Sequence, residues 1–467
     1  MTVMRPCGKV RQFSYKRQFS FMIKITAAVV TLGCRLNQAD SALLSDRLIK
    51  AGFSIVEEDG EDSPNLIVVN SCTVTATAAR KTRQTLAALR RKHPYAYIVL
   101  TGCAAEGDPE ESADTSDYDI LMTHADKSNL ETLLERKFNI SPEKGIFNQL
   151  SADKKVFKEG SYSIFPFKSR ANLKIQEGCE NFCSYCIVPY VRGPERSRSK
   201  KETLEDFKHL LADGFKEIVL TGVNVCNYRD GKTDLVGLIE EMLKQPGEFR
   251  IRLSSTEPGP IISSLAELIA ANPRLCNFLH LPLQAGSDKI LKKMARKYTC
   301  AQYREMIEKA RSLVNNIHIG SDWIIGFPGE TEKDFEQSCR FIESLHFSNL
   351  HIFPYSPRKG TPAAEMPGRV PVEQMMERLE RAKTIKNATI MNFARGLIGH
   401  QESVLTERQC SEGVYEGLSS NFARIRFRAK ENVCGQFCQI QVTSVSEDGV
   451  IGGKLVNPSD EPAEAGV

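Results

Sequence analysis

The sequence predicts an α/β protein in three folded parts: an amino-terminal parallel-sheet α/β domain, a partial (βα)6 barrel and a carboxyl-terminal small β-barrel. Three observations predict this. Strand-like apolar runs alternate with helix-compatible stretches in two separate series, which is the pattern of parallel sheets. Each run of the first series stops at a cysteine, and after about residue 395 the helical period gives way to short alternating segments. At 467 residues the chain is long enough for several cores.

Residues 1–21, with Arg5, Lys9, Arg11, Lys16 and Arg17, read as a disordered extension. No apolar core with a small-residue cleavage site follows them, so they do not read as a secretory signal, and Met22 is a second candidate start. The first domain is expected over 22–135. Its runs at 25–32, 66–69 and 97–100 precede Cys34, Cys72 and Cys103, with helices expected at 39–51 and 75–92. In a parallel sheet the carboxyl ends of the strands share one edge, where ligands bind, so these cysteines can converge. A buried cysteine is also a common small core residue, but the same placement on three successive strands favours a site. Residues 136–164 have no sustained period and read as a linker.

The second series spans 165–394. Strand-like runs at 172–176, 217–221, 250–254, 278–283, 317–325 and 348–353 alternate with helices such as 202–213, 301–314 and 332–345. Thr331 and Asp334 make a capping-type start to the last of these, which turns Cys339 toward the core. Cys179, Cys183 and Cys186 form a C-x3-C-x2-C triplet on the loop after the first strand, at the face where barrel active sites lie. Iron-sulfur clusters usually take four thiolates, so three close ones imply an iron left open to a small molecule. Structural zinc is closed by four ligands, commonly in two C-x2-C pairs, and no further Cys or His lies immediately nearby. Thr221, Gly222, Asn224, Ser254, Glu257 and Gln284 fall at strand ends of the same face and are candidate cofactor or substrate contacts by position; capping of strands and turns explains any one of them equally well.

The β-barrel is expected over 395–456, with a disordered tail at 457–467. Its segment 422–430 alternates, with Arg424, Arg426 and Arg428 on one face. Such a row, with ~6.6 to 6.8 Å between successive members, suits a phosphate backbone, and RNA is the natural partner. A charged edge that only prevents aggregation explains the row as well. Arg80, Arg83, Arg90 and Arg91, within about a 100° arc of a helix, supply a second basic patch. The net charge of +4 is too small to imply nucleic acid alone. With 41% hydrophobic and 26% charged residues and no apolar run near the ~20 residues of a membrane span, a cytoplasmic protein is expected. Fourteen cysteines without an export signal point to metal binding or catalysis rather than disulfides. Cys434 and Cys438, a pair without further neighbours, read as positions in the β domain.

The triplet after the first barrel strand resembles the radical S-adenosylmethionine enzymes. Leu173-Lys174-Ile175-Gln176-Glu177-Gly178-Cys179, Pro189-Tyr190-Val191-Arg192-Gly193-Pro194-Glu195-Arg196-Ser197-Arg198 and Gly326-Phe327-Pro328-Gly329-Glu330-Thr331 resemble the methylthiotransferase branch of that family. The resemblance covers roughly 25–456 and implies a terminal RNA-binding TRAM domain. It also implies a second 4Fe-4S cluster on Cys34, Cys72 and Cys103 beside the one on Cys179, Cys183 and Cys186. Thr31-Leu32-Gly33-Cys34-Arg35-Leu36-Asn37-Gln38, Asn70-Ser71-Cys72-Thr73-Val74-Thr75 and His351-Ile352-Phe353-Pro354-Tyr355-Ser356 are most similar to enzymes acting on N6-threonylcarbamoyladenosine at tRNA position 37; Ser71 stands where the pattern leads one to expect Thr. The implied chemistry is adenosyl-radical activation of adenine C2, a sulfur-bearing group from the second cluster and a methyl group from a second S-adenosylmethionine. Electrons would come from a flavodoxin-type donor. Isopentenyladenosine in tRNA and an aspartate of a ribosomal protein are alternative targets. A zinc-dependent RNA-binding protein without catalysis is the alternative of a different class.

Overall fold

The computed structural model describes residues 25–60, 62–107 and 113–124, the single positions 126, 130 and 134, and residues 169–456. The expected extension (1–21), linker (136–164) and tail (457–467) lie outside the described residues.

The amino-terminal part is a five-stranded, wholly parallel sheet. It runs β1 (Thr26–Thr31), α1 (Arg35–Lys50), β2 (Ser54–Ile55), β3 (Leu66–Ser71), α2 (Ala76–Lys92), β4 (Tyr97–Gly102), one turn of helix α3 (Cys103–Glu106) and β5 (Ile120–Leu121). The spatial order is β2-β1-β3-β4-β5. Every residue of β3 is buried, as a central parallel strand covered on both faces must be. Helix α1 starts four residues before the expected 39, directly after Cys34, because its polar first turn hides the apolar period.

The second part continues through β6 (Arg170–Lys174), β7 (Gln176–Glu177), α4 (Val188–Arg192), β8 (Arg196–Ser197), α5 (Lys200–Ala212), β9 (Glu217–Thr221), β10 (Arg229–Asp230), β11 (Thr233–Asp234), α6 (Leu235–Leu243), β12 (Arg250–Leu253) and α7 (Ile261–Ala271). It is completed by β13 (Phe278–His280), α8 (Asp288–Lys293), α9 (Cys300–Leu313), β14 (His318–Ile325), α10 (Glu332–Ser344) and β15 (Asn349–Pro354). Six parallel strands form the wall: β6-β9-β12 and β13-β14-β15, joined by bridges from Ile251 to Leu275 and from Ser255 to His280. Cys339 is buried on α10 as expected.

Two helices belong to more than one core. Ala39, Ala42 and Leu43 of α1 lie in the barrel core with Ala171 and Leu173 of β6, while Leu44 and Leu48 lie in the amino-terminal core with Leu66 and Val68. Helix α11 (Val372–Gly396) gives Leu379 and Ala382 to the barrel core and Ala394 to the last one. The boundary expected at 395 thus falls in the last turn of α11. The five strands that follow, β16 (Gln401–Ser411), β17 (Val414–Ser419), β18 (Arg424–Arg428), β19 (Phe437–Val445) and β20 (Ile451–Leu455), close a barrel in the order β16-β17-β18-β20-β19. Its Ser419 and Ser420 carbonyls accept from Arg252 at 2.9 Å each, and the Leu418 carbonyl accepts from Arg250 at 2.7 Å. Both guanidiniums are held by buried Glu217. Cys438 lies on β19, and Cys434 on the turn before it.

Candidate active site

The loop carrying Cys179, Cys183 and Cys186 is fixed by backbone contacts. Gly178 has φ +75, and a Cβ there would stand 1.9 Å from the Pro194 carbonyl oxygen, so only glycine permits the approach. Cys179 N–H donates to the Gly193 carbonyl at 3.2 Å and Cys186 N–H to the Cys183 carbonyl at 2.9 Å. Two donors already face sulfur: the Asn181 N–H lies 3.5 Å from Cys179 Sγ, and Arg296 lies 3.2 Å from Cys183 Sγ. Burial pushes the Cys179 thiol up to about 11 and the Cys186 thiol up to about 12. Thiolates in this loop therefore need a cationic centre beside them, which a metal cluster supplies.

The second trio sits where neighbouring strands end. Cys34 caps α1 just beyond β1, Cys72 follows β3 and Cys103 opens α3 at the end of β4; these three strands are adjacent in the sheet. Gly33, at φ +102, lets the chain pass so close to Cys72 that an added Cβ would lie 2.6 Å from the Cys72 Cβ. Burial first, then the nearness of Cys103 and Cys34, pushes the Cys72 thiol up to about 12. Among the described residues neither trio has all three of its sulfurs within 4.8 Å of one another. Thiolates on one tetrahedral zinc with 2.3 Å bonds stand ~3.8 Å apart, so the wider sets suit a cluster in which each thiolate takes its own iron.

Arg192 joins the two trios. It ends α4, six residues after Cys186, and its Nε lies 3.4 Å from Cys103 Sγ. Its terminal nitrogens reach Glu177 at 2.8 Å, Asp40 at 3.4 Å and Asn37 at 2.5 Å. Lys174 completes the group with 2.7 Å contacts to both Asp40 and Glu177. All four charged side chains are buried, and two cations balance two carboxylates. Burial alone would raise the Glu177 carboxyl, but Lys174 and Arg192 outweigh it and hold the group at about 2. Sequence reasoning singled out none of these four. The only signal was that Lys174, Glu177 and Arg192 fall within the motifs quoted for the family resemblance, where no role was given to them.

The strand-end candidates form the floor between the trios and the barrel. Thr221, Gly222 and Asn224 close β9; a Cβ on Gly222 would stand 2.9 Å from the Gln176 carbonyl, and Asn224 N–H donates to the Gln176 side chain at 2.8 Å. The Asn224 side-chain oxygen and nitrogen and the Ser254 hydroxyl are buried without a hydrogen-bond partner among the described residues. Unpaired buried polar atoms cost about 1–3 kcal/mol each, and a ligand with amino and carboxylate groups would relieve that cost. Glu257, raised by burial and pulled down less by Arg296, pairs with Arg296 at 2.7 Å. Arg296 thereby ties the cysteine loop to Glu257, and position alone did not reveal it. Gln284, at φ +71, lies four residues past β13 and bridges to Trp323 of β14.

The basic row on β18 is exposed but not uniformly open. Glu416, on the adjacent strand, holds Arg426 at 2.8 Å, Arg424 at 3.0 Å and Arg408 at 2.7 Å, and Arg424 also meets Glu407 at 3.0 Å. No ion pair is found for Arg428 among the described residues, and Lys454 of β20 stands in register beside it. On α2, Arg90 is likewise committed to Asp119 at 2.8 Å. Arg428→Ala with Lys454→Ala should therefore weaken tRNA binding more than Arg424→Ala with Arg426→Ala. It should also lower the salt slope of log K by about two. Anisotropy titrations from low to high salt would read this, and a larger loss in the Arg424 and Arg426 variant would contradict it.

Residues 173–342 match the radical SAM superfamily, and residues 26–123 match uncharacterized protein family UPF0004. The chain is 34% identical to the threonylcarbamoyladenosine tRNA methylthiotransferase MtaB of Thermotoga maritima, over 91% of this chain and 96% of that one. It is 32% identical to the Bacillus subtilis protein of the same name, over 89% and 93%. Against the tRNA-2-methylthio-N(6)-dimethylallyladenosine synthase of Polynucleobacter necessarius it is 32% identical, over 92% and 98%. Among solved structures, the radical S-adenosylmethionine methyltransferase TsrM from Kitasatospora setae covers 82% of this chain and is itself covered over 77%; the TM-score is 0.53 at 14% identity, a likeness of fold.

Proposed function

We propose that this chain, which belongs to the tRNA methylthiotransferase family of radical S-adenosylmethionine enzymes, converts N6-threonylcarbamoyladenosine at position 37 of tRNA to its 2-methylthio derivative, using two 4Fe-4S clusters. As a member of the family the chain is an enzyme that acts on tRNA with S-adenosylmethionine and a 4Fe-4S cluster. The finer reading adds the modified adenosine, the second cluster and the ligands of each. The observation that carries it is the hydrogen bond from Arg192, on the helix after the first cysteine trio, to Cys103 of the second. That contact supports two cofactors held side by side.

In this reading Cys179, Cys183 and Cys186 hold the cluster that binds S-adenosylmethionine, and Cys34, Cys72 and Cys103 hold the second. A cluster held by the first trio would supply the one-electron reducing chemistry that cleavage of S-adenosylmethionine requires. The chain's own residues orient and shield. Asn224 and Ser254 would receive the amino and carboxylate groups of S-adenosylmethionine, with Thr221, Gly222, Glu257 and Gln284 shaping the same floor. Arg296 and Arg192 direct N–H donors at the sulfurs of Cys183 and Cys103, and the buried Lys174, Asp40 and Glu177 keep Arg192 in place. The parts at 22–135, 165–394 and 395–456 would serve as second-cluster domain, radical domain and RNA-binding TRAM domain, with Arg428 the most available of Arg424, Arg426 and Arg428. A flavodoxin-type protein would donate electrons in the cytoplasm. No helix of the described residues is long and apolar enough to cross a membrane.

Nucleoside analysis of tRNA from cells lacking the protein tests the substrate. The expected result is loss of the 2-methylthio group from threonylcarbamoyladenosine, with the parent nucleoside accumulating. Loss from the dimethylallyl nucleoside instead would overturn the assignment.

A further inference from the structure

The concave face of β13, β14 and β15 carries three polar side chains that the cysteine sites leave unused. On β14 the outward face is marked by Ser321, 3.2 Å from the Tyr303 hydroxyl of α9, and by Trp323, stacked on Phe335 of α10 at 5.5 Å. Strand alternation turns Asp322 the other way, into the barrel. His280, one strand over, and His351, in register opposite Asp322, meet it there. His280 Nε2 and His351 Nδ1 lie 3.1 and 3.2 Å from the same Asp322 oxygen, with the two rings 5.2 Å apart.

The group is anchored at one end and open at the other. The side chains of His280, Asp322 and His351 are 10%, 20% and 49% exposed. Its upper edge adjoins the strand-end floor, since Gln284 N–H donates to the Asp322 carbonyl at 2.8 Å. Burial alone would raise the Asp322 carboxyl, but the hydrogen bonds to His280 and His351 outweigh it and hold the group at about 2. As a carboxylate, Asp322 is an acceptor only. It therefore keeps the proton of His351 on Nδ1 and leaves Nε2 to face the opening, with the Asn349 side-chain nitrogen 3.5 Å away.

We propose that His351, braced by Asp322 and His280, selects a hydrogen-bonding N6 substituent on the target adenine, the threonylcarbamoyl group, over an apolar one such as dimethylallyl. This rests on the N6-substituted adenosine assigned above. A threonylcarbamoyl group offers ureido N–H groups and a hydroxyl that can donate to Nε2, and a carboxylate that accepts from a protonated imidazole. A dimethylallyl group has no polar atom, so it would strip water from His351 and Asn349 and return nothing. Fully buried sites of this kind reject the analogue lacking the hydrogen bond by 10⁴–10⁵, whereas a half-exposed imidazole should give about tenfold.

The test uses the full-length, cluster-loaded protein and three anticodon stem-loop RNAs that differ only in N6: unsubstituted, threonylcarbamoyl and dimethylallyl. Wild type should bind the threonylcarbamoyl RNA about tenfold more tightly than the dimethylallyl RNA. His351→Phe should abolish that preference and improve binding of the dimethylallyl RNA, with the change in KM rather than in kcat; His351→Gln should keep part of it. Iron content and circular dichroism report folding of each variant. A wild type that favours dimethylallyl RNA overturns both the substrate assignment and this inference. A wild type that favours threonylcarbamoyl RNA, with His351→Phe unchanged, overturns this inference alone. Loss of one equivalent of a non-iron divalent metal in His351→Phe would show the group to be a metal site, and also overturns it.

Discussion

Arg192→Gln is expected to cost about 3–5 kcal/mol, the usual penalty for removing one partner from a buried charge group. The substitution leaves buried Asp40 and Glu177 with Lys174 as their one close buried cation, since Arg196, at 3.9 Å from Glu177, is more distant and partly exposed. It also removes the N–H aimed at Cys103. For a unit of this size the loss corresponds to roughly 6–20 °C in an unfolding midpoint, read anaerobically by circular dichroism on the cluster-loaded protein. Arg192→Lys should lose less, because it keeps the charge but not the planar fork that serves Glu177, Asn37 and sulfur together. The sign of the pH effect follows from Glu177, whose carboxyl is held at about 2 in the folded protein. Its contribution is present above the ordinary carboxylate range and is lost only as pH falls toward 2. In Arg192→Gln a carboxylate can instead take a proton at milder acidity, so the gap between variant and wild type should narrow as pH falls from 7 toward 4. An equal midpoint at pH 7, or a gap that widens on acidification, would contradict this account.

Replacing Cys179, Cys183 and Cys186 together with Ala should remove about half of the iron and all cleavage of S-adenosylmethionine. The corresponding change at Cys34, Cys72 and Cys103 should also remove about half of the iron, yet leave S-adenosylmethionine cleavage in place while ending methylthiolation. Iron and sulfide analysis with 5'-deoxyadenosine assays separates the two. Unchanged iron in either variant would refute the ligand assignment, and retained cleavage in the first would move the radical chemistry elsewhere. The trios differ because only Cys179, Cys183 and Cys186 belong to the barrel itself, on the loop after its first strand, and it is the barrel's strand ends that carry the unpaired polar atoms of Asn224 and Ser254.

Much of this was legible in the sequence, because local periods carry it. The six barrel strands fall within a few residues of the runs expected for them, Cys34, Cys72 and Cys103 each follow a strand of the first sheet, and Cys179, Cys183 and Cys186 share the loop after the first barrel strand. What stayed hidden depends on long-range pairing. Asp40, Lys174, Glu177 and Arg192 are spread over more than 150 positions, and each alone reads as a surface charge. Only the docking of α1 along β6 makes them one buried set. Arg424, Arg426 and Arg428 look equivalent by alternation, yet the register of β17 against β18 sets Glu416 beside two of them and not the third. His280, Asp322 and His351 sit on three strands whose order, rather than whose sequence, brings them together.

The two helices that bury residues in more than one core have a mechanical consequence. Neither α1 nor α11 can act as a hinge, since swinging either part away would drag apolar side chains such as Leu43 or Leu379 out of the barrel interior into water. The span between the cysteine trios is thereby set when the chain folds, not when RNA arrives.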